Sequence, residues 1–131
     1  MFEEDEKIYN LLITRGDNDE NNEYGQFTEK LYSRPDFFWK ETVIGSTDYS
    51  IVPDSFFENI DAIILLSGLY KDNKEQMDKL VEIAKNKNIT LVLVRPFGME
   101  EVPLELEEYS DGIVGWNAAC IIDMIKNTDE I

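Results

Sequence analysis

Apolar positions along this chain fall into two rhythms. Four runs are nearly continuous: Lys7–Thr14 (KIYNLLIT), Ala62–Leu66 (AIILL), Thr90–Val94 (TLVLV) and Gly112–Val114 (GIV). Such density predicts strands buried on both faces. A fifth stretch, Phe37–Val43 (FFWKETV), is aromatic and β-branched and reads as an edge strand. Between them the spacing turns helical. Tyr24, Phe27 and Leu31 share one face of a helix over Tyr24–Ser33, which Pro35 ends. Met77, Leu80, Val81 and Ala84 stripe a helix over Glu75–Lys85. A last helix spans Ala118–Lys126, with Asn117 placed to cap it, and shorter ones are expected over Pro53–Asn59 and Pro103–Tyr109.

Strands alternating with helices, each strand apolar throughout, predict an α/β fold with a parallel sheet covered on both sides. Right-handed crossovers in a single domain of 131 residues give a doubly wound, three-layer sandwich. Its five strands take the flavodoxin-like order 2-1-3-4-5. The core is expected over about residues 7–126, with frayed acidic ends at Met1–Glu6 and Thr128–Ile131. In such sheets ligands bind beyond the carboxyl ends of the strands, at the switch point above strands 1 and 3. That places Thr14 and Arg15 on one side of a crevice and Ser67, Gly68 and Tyr70 on the other. The exits of the last two strands add Arg95, Phe97, Trp116 and Asn117 as ligand-binding candidates. Each has a plainer role: Arg95 pairing with Glu100, Glu101 or Glu105, and Trp116 covering the core.

Charge and composition narrow the chemistry. The formal net charge of −16 disfavours nucleic acid and anionic membrane surfaces as partners. No apolar run is long enough to span a bilayer, and the acidic N-terminus does not resemble a signal peptide. Cys120 is alone, so a cytoplasmic location is expected. The chain has no histidine, which removes the commonest general base and, with a single cysteine, leaves no structural zinc site.

Familiar occupants of this fold fit poorly. An FMN phosphate would meet the carboxylates of Arg15–Asn22 (RGDNDENN) after strand 1. A phosphorylatable receiver needs an aspartate at the end of strand 3, where this chain has Ser67-Gly68. Ser67 has neither a G-x-S-x-G elbow nor a histidine to activate it. Asp17, Asp19 and Glu20 lack the spacing of a calcium loop.

Several motifs together carry a family resemblance. IILLSGLY at Ile63–Tyr70, RPFG at Arg95–Gly98, Val102-Pro103, VGWN at Val114–Asn117 and Phe38-Trp39-Lys40 are similar to the TIR-like flavodoxin-fold family. That family includes the TIR-like subunit of Thoeris antiphage defence systems, and the chain looks closest to small stand-alone archaeal members. The resemblance covers most of residues 8–126, with a poor match at the strand 1 exit. It implies a nucleotide-like ligand, NAD⁺ or a relative, and self-association or partner binding through TIR-type surfaces. Catalytic members use a glutamate on the helix after strand 3. Counted from Gly68, Tyr70 and Met77, that position falls on Leu80, while Glu82 faces away. The resemblance therefore implies a non-catalytic recognition or signalling module. An NAD⁺ glycohydrolase or cyclase would need Glu75 or Asp78 as its acid, and a buried carboxylate beside Ser67 would overturn the non-catalytic reading. A third reading is an adaptor that resembles a response regulator but works without phosphorylation.

Overall fold

The computed structural model describes residues 7–14, 22–42, 53–70, 72–95, 112–115 and 117–126. Strands β1 (Tyr9–Ile13), β2 (Trp39–Glu41), β3 (Ala62–Leu66), β4 (Thr90–Val94) and β5 (Gly112–Val114) form one sheet. Every pairing is parallel, in the order β2-β1-β3-β4-β5, so the flavodoxin-like architecture read from the sequence is the one observed. Leu11 lies opposite Ala62, Ala62 opposite Thr90, and Val92 opposite Gly112. This register brings the carboxyl ends of the central strands to a common ledge.

Helices α1 (Glu23–Tyr32), α2 (Lys74–Lys87) and α3 (Ala118–Lys126) flank the sheet. The chain steps one way across the sheet from β1 to β2 and the other way from β3 to β4. Crossovers of one hand then put α1 and α2 on opposite faces. Accordingly α1 touches α3, while α2 packs on β3 and β4. The stripe that predicts α2 is the buried one: Met77, Leu80, Val81 and Ala84 face the sheet. Asn88, at φ 56°, ends the helix in the left-handed conformation usual for such caps. β1 and β3 are buried along their whole length, as their unbroken apolar runs require.

Two elements differ from expectation. β2 keeps only three residues of the stretch 37–43, because the Phe37 N–H turns back to the Arg34 carbonyl. The β2–β3 connection forms a 3-10 turn, Asp54–Phe57, where a helix reaching Asn59 is expected. Phe57 and Ile60 enter the core from it, and Phe56 stays exposed. Buried Asn10 ties this corner together. Its side chain donates to the Asn59 carbonyl at 3.0 Å and accepts from the Thr42 hydroxyl at 2.7 Å, and its N–H donates to Asp61 at 2.8 Å. The helix expected over 103–109 lies outside the described residues. Among the described residues, no helix is long and apolar enough to cross a membrane.

Candidate functional site

At the strand exits, polar side chains continue the sheet's hydrogen bonding past its last paired residues. The Thr14 N–H donates to the Ile64 carbonyl, and the Thr14 Oγ1 accepts from the Leu66 N–H, both at 3.0 Å. The Ser67 hydroxyl donates to the Val94 carbonyl at 2.7 Å. The Arg95 N–H donates to the Val114 carbonyl at 2.8 Å, leaving its side chain exposed. These contacts lace β1 to β3, β3 to β4 and β4 to β5 at one level. Thr14 and Ser67 are buried, and their hydroxyls serve the main chain. Asn117 is a helix cap, its Oδ1 accepting from the Cys120 N–H at 3.0 Å.

A residue outside the sequence-derived set reaches the same ledge. Glu23, the first residue of α1, is only 5 % exposed, and its Oε1 is closed off from solvent. A Cβ built on Gly68 would run into both carboxylate oxygens of Glu23. The acid therefore lies directly against the backbone just past β3, with Thr14 and Ser67 nearby in the same exits. Gly68 is exposed, so this corner opens to solvent on the glycine side. Reading the sequence misses Glu23 because an acid in a helix's first turn is the ordinary way to satisfy the helix dipole. A glycine required at 68 is the only trace of it in the chain.

Tyr70, a ligand-binding candidate, is tied to α2 and lines the groove along that helix. Its hydroxyl donates to Asp78 at 2.7 Å and accepts from Lys74 at 2.8 Å, and the Lys74 ammonium stands 4.8 Å from the ring centroid. Burial pushes the phenol above its ordinary value of 10.0; Asp78 adds to the shift and Lys74 opposes it. Tyr70 thus stays protonated at neutral pH and is a donor, not a base.

Glu75 and Asp78 do not face the crevice. Both are exposed and line an open groove of about 580 Å³ along the outer side of α2, with Lys74, Lys79 and Glu82. Leu80 is fully buried on the opposite side of the helix. It sits six residues past the first residue of α2, about 9 Å down the axis, a core position rather than a crevice one. Of the other candidates, Arg15, Phe97 and Trp116 lie outside the described residues. Among the described residues, no group of three or more acidic or sulfur ligands could hold a metal ion.

Comparisons with known proteins add no family: no family model matches the chain, and no curated protein does. The fold and the geometry of the ledge are what a functional reading can use.

Proposed function

We propose that this chain is a TIR-like recognition or signalling module that binds a nucleotide-like ligand above β1 and β3 without turning it over. The observation that carries the reading is the commitment of the ledge hydroxyls. Thr14 and Ser67 are bonded to main-chain partners of β3 and β4, so neither is held as a nucleophile. The two acids considered for α2 line a groove that also includes Tyr70, and Leu80 fills the core. The resemblance of the strand-exit motifs to the TIR-like family is what suggests a nucleotide, with a link to antiphage defence as its extension. Incubation of the purified protein with NAD⁺ should leave the dinucleotide intact, while calorimetry registers its binding. Release of nicotinamide at rates well above the spontaneous one would defeat the non-catalytic reading.

A second reading is favoured by the one observation that counts directly against the first. Glu23 is a buried carboxylate beside Ser67-Gly68, the kind of group a glycohydrolase needs against a developing ribosyl cation. If nicotinamide is released and Glu23→Gln abolishes the release, this chain is an NAD⁺ nucleosidase that places its acid on the first helix.

A further inference from the structure

We infer that the outer edge of β2 takes up an extended segment of a basic partner protein, which joins the sheet as a further strand with arginines on one face and apolar residues on the other. Such a contact is independent of the nucleotide reading above. β2 is one of the two edges of the sheet. The Tyr9 N–H donates to the Phe38 carbonyl at 3.0 Å, and the Thr42 N–H donates to the Leu11 carbonyl at 2.9 Å. Main-chain groups alternate in direction along a strand, so those of Trp39 point off the sheet. An outward N–H and C=O are what an incoming strand pairs with.

Exposed side chains gather at the same place. Among the described residues four large hydrophobics are exposed, and three of them, Ile8, Tyr32 and Phe38, adjoin this edge. Tyr32, at the end of α1, is 73 % exposed, and its ring centroid stands 4.9 Å from that of Trp39. That pair marks one face of the edge. Ile8 and Phe38 immediately precede the paired residues Tyr9 and Trp39, so alternation puts them on the other face. Apolar side chains scattered over a surface are ordinary, but their concentration on both faces of one open edge marks a contact surface.

Charge selects the occupant. A second copy would bring another −16 to the edge. Two-fold pairing of β2 with itself about its middle residue would also set Lys40 against Lys40. A basic segment is attracted instead. Guanidinium groups stack on aromatic faces, so its arginines belong over Tyr32 and Trp39. Apolar side chains at the alternate positions then meet Phe38 and Ile8. Lys40, exposed on that second face, keeps arginines off it and so fixes which way the segment faces.

The test uses a fluorescent synthetic peptide that alternates arginine and valine, read by anisotropy. Two controls keep its charge: one places the same arginines and valines in two blocks, the other carries N-methyl groups on every second amide. The alternating peptide should bind roughly tenfold or more tightly than either control. Its affinity should fall as salt rises. Tyr32→Ser and Phe38→Ser should each weaken it several-fold and leave the block peptide unchanged. Deuterium exchange at the Trp39 N–H should slow on binding. Thermal melts establish that the variants are folded, and the comparison of peptides on the wild-type chain needs no variant. Equal affinity for the three peptides reduces the attraction to bulk charge and overturns the inference. So does Trp39 exchange that the alternating peptide leaves unchanged. A wild-type chain that is dimeric at neutral pH, and monomeric as Phe38→Ser, gives the edge to a second copy and overturns it as well. Nucleotide affinity enters none of these outcomes, so the two readings stand or fall separately.

Discussion

A single phenol shows how side chains at the strand exits are claimed by structure. Tyr70 is clamped between Asp78 and Lys74 and buried. Its folded pKa is raised, so folding favours the protonated form. That contribution is complete below the ordinary phenol value of 10.0 and is lost as pH rises through the higher folded value. An ultraviolet titration should therefore show a late-ionising phase, above the free phenol, and Tyr70→Phe should reduce that phase by one phenol. A late phase of undiminished amplitude in Tyr70→Phe would assign the shift elsewhere. Residue-scale function was only partly legible in the sequence. Strand exits place Thr14 and Ser67 at the ledge, but do not show that the Thr14 Oγ1 accepts from the Leu66 N–H or that the Ser67 hydroxyl donates to the Val94 carbonyl. Glu23 was hidden for the opposite reason, its local role being commonplace and its contact with residue 68 spanning most of two βα units.

Elements were far more legible than sites. β3, β4, β5 and α3 match the residues that periodicity assigns them, because unbroken apolar runs and an i, i+3, i+4 stripe each admit few alternatives. The β2–β3 connection resisted, since a 3-10 turn and a short helix share their opening residues and differ only in length. α2 offers the sharpest test at this scale. Leu80 lies in the middle of its buried stripe, so Leu80→Glu places a carboxylate against the sheet. Denaturation in urea should show a loss of about 3 kcal/mol or more, or no folded protein at all. An acid introduced at that position should accordingly not create NAD⁺ cleavage. A stable, active Leu80→Glu protein would mean that α2 presents this residue to the ledge after all.

Among the described residues, the charges at the helix ends are arranged along the strand axis. Helices run against the strands, so first turns carrying Glu23 and Glu75 lie at the ledge end, and last turns carrying Lys30, Lys85, Lys87 and Lys126 at the other. Each charge complements its helix's dipole.

At the far pole the covering is thin. Ile8 and Phe38 immediately precede the paired residues Tyr9 and Trp39, and stand 58 % and 46 % exposed. Two exposed apolar side chains abreast on neighbouring strands favour contact between copies, and a net charge of −16 opposes it at neutral pH. Acidification toward about pH 4 neutralises the carboxylates. Light scattering should then climb steeply in the wild-type chain and much less in Phe38→Ser, whose melting temperature at neutral pH should barely move. Acid-induced clumping would in that case be a property of one greasy doorstep at the sheet's edge, restrained at neutral pH by electrostatics alone.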